Sequence, residues 1–132
     1  MKSEVMPKKT TECFFNYLSK NFKWSLSGSC IDWHKVDNSV CINIDTFSFD
    51  EIVNEILKTP LKNYDYFCFS YNSGEDTKVY KNEDALENLD QLLIGPGDAY
   101  IYGAVKNSTS FEASFETFVE IYAGNWLCYI AN

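Results

Sequence analysis

The stretch from Phe111 to Tyr122 constrains this chain more than any other. Its odd positions, Phe111, Ala113, Phe115, Thr117, Val119 and Ile121, are nearly all apolar. Its even positions, Glu112, Ser114, Glu116, Phe118, Glu120 and Tyr122, mix carboxylates with aromatics. Successive side chains of a strand point to opposite faces, so this period of two describes one buried face and one acidic, aromatic face. A helical stripe through Phe111, Phe115, Phe118, Val119 and Tyr122 also fits part of the run. Two features favour the strand: the β-branched and aromatic residues of 118–122, and the Gly124-Asn125 turn before Trp126–Ile130, which makes a hairpin. In a helix, Glu112, Glu116 and Glu120 would repel one another at i,i+4 spacing. Both conformations put those three carboxylates on one side.

The rest of the chain supplies more strands and about three helices. Residues 1–8 read as a loose lead-in, after which Thr10 or Thr11 caps a helix through about Phe22 with Phe14, Tyr17, Leu18 and Phe22 on one stripe. Lys23–Asp37 and Ser39–Asp45 read as two strands joined by an Asp37-Asn38 turn. Ser48 and Glu51 form a capping box for a helix whose apolar face is Ile52, Val53, Ile56 and Leu57, ended by Thr59-Pro60. Tyr64–Tyr71 and Thr77–Tyr80 read as a hairpin across the turn residues 72–76. Asn82 caps a third helix, Glu83–Leu93, with Leu86, Leu89, Leu92 and Leu93 facing inward. Gly95-Pro96-Gly97 stops it before a strand at Ala99–Val105. Hairpin connections between strands predict a single α+β domain spanning 1–132. Its sheet is mainly antiparallel or mixed, with about five to seven strands and helices packed mainly on one face.

No catalytic signature stands out. His34 is the only histidine, so nucleophilic catalysis would have to use it, with Cys30 the nearest thiol; it is better read as a turn histidine beside Trp33. The five cysteines contain no C-x-x-C pair, and Cys41, Cys68 and Cys128 fall inside strands as small core hydrophobes, so no metal site is expected. Residues 94–98 resemble a phosphate loop superficially. They lack the Gly-Lys-Ser/Thr ending and run from helix into strand, which makes them a helix stop. No cofactor is implied.

Charge narrows the partners. The chain carries a net −8, divided as +2 over residues 1–44 and −10 over residues 45–132, and it has no arginine. Such a surface repels nucleic-acid phosphate and anionic lipid and attracts basic proteins. Neither a signal sequence nor a membrane-spanning run is visible, and an odd number of irregularly spaced cysteines suits a reducing cytoplasm. The candidate partner-binding residues are Glu112, Glu116, Phe118, Glu120 and Tyr122 on the long strand, with Glu83, Asp84, Glu87 and Asp90 on the third helix.

In size, charge and composition the chain resembles the small acidic immunity proteins that bacteria make against their own toxins, as in contact-dependent inhibition systems. The resemblance covers the whole chain and rests on no motif. It implies a non-enzymatic inhibitor that covers the active site of a cognate toxin, such as a basic nuclease. Three alternatives accompany it: a phage-type nuclease inhibitor acting by acidic mimicry, a small-molecule-binding regulatory module, and an enzyme with a site around His34.

Overall fold

The computed structural model describes residues 2–28, 30–94, 98–122 and 125–131. Its centre is one seven-stranded sheet with order β1-β4-β3-β5-β6-β7-β2, every neighbouring pair antiparallel. The strands are β1 (Ser3–Val5), β2 (Ser39–Asn43), β3 (Tyr66–Tyr71), β4 (Lys78–Lys81), β5 (Ala99–Asn107), β6 (Ser110–Tyr122) and β7 (Trp126–Ile130). The helices are α1 (Lys9–Asn21), α2 (Phe49–Ile56), α3 (Asn82–Glu87) and α4 (Leu89–Leu92), with 3-10 turns at Trp33–Lys35 and Pro60–Asn63. This is a single-domain α+β fold with a wholly antiparallel sheet among the described residues.

Both faces of the sheet are covered, not mainly one. On the first face, α1 packs Phe14 and Leu18 against Tyr100 and Tyr102 of β5, Phe118 of β6 and Trp33. On the second, Ile52 and Ile56 of α2, Leu61, and Ala85, Leu89 and Leu92 of α3 and α4 cover Phe67, Phe69, Ile101, Val119, Ile121 and Leu127. Two helical layers are needed because β3, β5 and β7 are apolar on both sides.

Local signals explain several boundaries. Ser48 Oγ accepts from the Glu51 amide at 3.2 Å while Glu51 Oε1 accepts from the Ser48 amide at 3.1 Å, closing the capping box of α2. Helix α1 starts at Lys9 without a side-chain cap, and both expected caps, Thr10 and Thr11, lie inside it. The Thr11 hydroxyl is instead 2.6 Å from that of Thr77, which ties α1 to the start of β4. The third helix breaks at Asn88, whose side chain bonds the Asp84 carbonyl at 2.9 Å, giving α3 and α4. Asn82 is the first residue of α3, and its Oδ1 accepts from the Glu83 amide at 2.8 Å.

The expected lead-in contains an edge strand. β1 pairs with β4, and Met6 behind it is buried. Lys23–Asp37 is not a strand: a single bridge joins Trp24 to Ile31, and the 3-10 turn at Trp33 follows. Gly95-Pro96-Gly97 and Ala123-Gly124 lie outside the described residues.

β6 is strand along its length, but its alternation changes sides. Tyr102 stands opposite Phe118, while the next residue of β5, Gly103, stands opposite Ser114, so Phe115, Glu116 and Thr117 leave the ladder. A bulge with an odd number of extra residues swaps the faces on either side of it. Phe111, Ala113 and Phe115 therefore join the α1 face together with Phe118 and Tyr122, whereas Val119 and Ile121 join the α2–α4 face. The expected single buried face is two half-faces.

Candidate functional site

The bulge places Glu120 on the α1 face, where it is fully buried. Its carboxylate is held by donors from far away in the chain: Trp33 Nε1 at 2.7 Å on one oxygen and the Ile31 amide at 3.3 Å on the other. Both donors come from the segment between α1 and β2, which folds back on itself through Ser25 N to Cys30 O at 2.7 Å and Asp32 N to Lys23 O at 2.8 Å. Glu120 thus clamps that segment onto the sheet. Burial pushes its pKa up from 4.5 to about 7, against the lowering effect of the nearby Tyr100 hydroxyl and of the hydrogen bonds from Trp33 and Ile31. Tyr100 stands opposite Glu120 in the sheet, and its own pKa is pushed up by burial and then by that carboxylate. The two groups interact electrostatically, yet the buried Tyr100 hydroxyl makes no hydrogen bond of ordinary geometry among the described residues.

Outside the clamp, the same segment walls a cleft of about 650 Å³. Trp33, His34, Cys30, Cys41, Tyr122 and Trp126 are among its lining residues. Burial, then the neighbouring thiols and Glu120, push Tyr122 up to about 12, so its hydroxyl is protonated at neutral pH. Cys30 and His34 both line this cleft, Glu120 is held by Trp33 and Ile31, and no orienting bond to His34 is present among the described residues.

The residues expected to form one acidic docking face are separated. Glu112 and Glu116 are exposed, Glu120 is buried, Phe118 is 4% exposed inside the α1 core, and Tyr122 is half-buried in the cleft. Phe118 and Glu120 are therefore excluded as contact residues, and the three carboxylates do not share a side. Cys41, expected in the core, is exposed, whereas Cys68 and Cys128 are buried as expected.

The helix group behaves differently. Glu83, Glu87 and Asp90 are exposed, Asp84 is half-buried, and none of the four enters an ion pair among the described residues. Gln91 and Leu92 of α4 line a groove with Tyr71, Glu75, Asp76, Lys78, Tyr80 and the exposed Ile94, whereas Asp84 lines a separate groove with Lys2, Lys81 and Lys106. The Tyr71 hydroxyl fixes α4 by donating to the Leu92 carbonyl at 2.7 Å. Sequence reasoning missed Glu75, Asp76 and Ile94; their signal was the density of carboxylates in residues 75–94, six against Lys78 and Lys81.

Among the described residues, no group of three or more His, Cys, Asp or Glu is arranged to hold a metal ion. No described helix is long and apolar enough to cross a membrane. Compared with known proteins, the chain matches no family model, no curated protein and no solved structure.

Proposed function

We propose that this chain is a non-enzymatic binding protein that neutralises a basic protein partner, acting as an immunity protein against a cognate toxin. The observation that carries the reading is the face formed by α3, α4 and the 72–77 loop. There, Glu75 and Asp76 line a groove with Tyr71, Tyr80, Lys78 and an exposed Ile94, 78% accessible, and the adjoining helices carry the exposed Glu83, Glu87 and Asp90, none in an ion pair among the described residues. An acidic rim steers a basic partner in, and an apolar centre excludes water once it has docked. The contact residues in this reading are Glu75, Asp76, Glu83, Glu87, Asp90 and Ile94.

The test uses the reading frame immediately upstream in the native genome. Expressed alone, its product is expected to arrest growth; co-expressed with this chain, growth returns. The triple variant Glu83→Lys/Glu87→Lys/Asp90→Lys folds but fails to rescue. A harmless or acidic upstream product, or full rescue by the triple variant, would contradict the proposal. A second reading, a small-molecule-binding module, is favoured by the aromatic cleft at Trp33, Tyr122 and Trp126. It predicts that blocking the cleft abolishes function while the triple variant keeps it.

A further inference from the structure

Cys41 on the sheet's edge strand and Cys128 on its neighbour stand directly opposite each other. The phase of the ladder follows from the backbone bonds just beyond its two ends: Ile44 N to Asn125 O at 2.7 Å and Ala131 N to Asn38 O at 2.7 Å. Both bonds join residues that face each other in the same register, so 38/131 and 44/125 are hydrogen-bonded pairs. Antiparallel pairs alternate between hydrogen-bonded and non-hydrogen-bonded positions. Cys41/Cys128, an odd number of steps from each, is therefore a non-hydrogen-bonded pair. At such a position Cα atoms are about 4.5 Å apart and side chains lean together. That lies at the short end of the roughly 4.4–6.8 Å a disulfide spans. Accessibility divides the roles: Cys41 is exposed, whereas Cys128, directly opposite it in the ladder, is wholly buried.

We propose that Cys41 and Cys128 are a redox modification site, closed to a cross-strand disulfide by a hydroperoxide and reopened by a dithiol. The Cys41 thiolate attacks the peroxide oxygen, giving a sulfenic acid and water. The Cys128 sulfur then displaces the sulfenic oxygen as a second water, so two thiols and one hydroperoxide yield one disulfide and two waters (an alcohol and a water for an organic peroxide). Placed at the short end of the allowed spacing and at the sheet edge, the bond belongs to the easily reduced kind. Closing it ties edge strand β2, which among the described residues has β7 as its one strand neighbour, to the sheet and fixes the cleft wall at Cys41. The site stands apart from the acidic face and does not depend on which partner docks there.

The test uses the full chain with the exposed Cys13 changed to Ser, leaving four cysteines. Burial raises the Cys41 thiol, so the reduced protein is treated with one equivalent of hydrogen peroxide at about pH 8.5, near the ordinary thiol pKa. It is then denatured, alkylated and weighed intact. Alkylated thiols are expected to fall from four to two, to return to four after dithiothreitol, and to map to a Cys41–Cys128 linked peptide. In the Cys41→Ser background no intramolecular disulfide is expected. A Cys30–Cys128 link, a disulfide-linked dimer through Cys41, or overoxidation of Cys41 with Cys128 still alkylated would overturn the proposal.

Discussion

The two faces of the sheet solve burial in different ways. The α2–α4 face is largely aliphatic, with Ile52, Ile56, Leu61, Leu89, Leu92, Ile101, Val119, Ile121 and Leu127 at its centre. The α1 face is aromatic and holds buried polar groups. Phe14 stacks on Tyr102 at 4.2 Å and makes edge contacts with Tyr100, Phe115 and Phe118. Beside them a hydroxyl chain runs from Thr11 through Thr77 and Ser70 to Tyr102, with spacings of 2.6, 2.6 and 2.8 Å. The aliphatic face needs only volume and pattern, and it leaves its outer helices free to carry charge. The aromatic face needs each polar atom satisfied, which makes it specific and sensitive to protonation. The proposed docking surface lies on the outside of the first, and the clamp and cleft belong to the second.

The largest expected effect separates the two cores. Phe14→Ala removes the ring at the centre of the aromatic stack and is expected to cost about 3–5 kcal/mol, against about 2–5 kcal/mol for Ile56→Ala opposite. Urea unfolding measures both, and the prediction is that Phe14→Ala exceeds Ile56→Ala. Next comes Glu120. Its folded pKa is raised to about 7 from 4.5, so the native state holds a proton that the unfolded chain releases. Its contribution is thus most favourable at acidic pH and is lost as pH rises through that window. We expect stability attributable to this group to fall by about 2–3 kcal/mol between about pH 5 and about pH 8. Glu120→Gln keeps an acceptor for Trp33 and should remove this slope.

Gly103→Ala probes the second face close to the bulge. A Cβ there meets the Tyr64 ring, whose hydroxyl is anchored 2.9 Å from Ser114 Oγ, so an overpacking cost of about 1–3 kcal/mol is expected. The smallest effect is Ser48→Ala, which opens the capping box of α2 for about 1 kcal/mol in thermal or chemical unfolding.

The difference between the faces also decides what could be read from the chain. Helix α2 was legible because Ser48, Glu51 and the Ile52/Ile56 stripe lie within nine residues. The leucines of α3 and α4 and the hairpins of β3–β4 and β6–β7 were legible for the same reason: the signals are local. The bulge in β6 was not. Apolar odd positions recur on both sides of residues 115–117, so the pattern looks continuous although the faces exchange. That hid the burial of Glu120, whose donors Trp33 and Ile31 lie 87 and 89 residues away. The one local hint was its company, since Phe118 and Tyr122 flank it at strand spacing. The cleft segment alternates only briefly, at Trp24 and Leu26, and its one bridge, Trp24 to Ile31, makes it a folded-back loop in place of the expected strand. On the acidic side, the helix carboxylates were found from composition, whereas the adjoining Glu75, Asp76 and Ile94 needed the packing of α4 against the hairpin loop.

The most direct measurement is parallel affinity capture from native-host lysate with three folded baits: the natural chain, Glu83→Lys/Glu87→Lys/Asp90→Lys, and His34→Trp. His34 is exposed at the cleft, so the added indole fills it without entering the core. Docking on the α3–α4 face predicts that one basic protein is retained by the natural chain and by His34→Trp and is lost, by tenfold or more, from the charge-reversed bait. Retention by the charge-reversed bait with loss from His34→Trp would contradict it and move the binding site to the cleft.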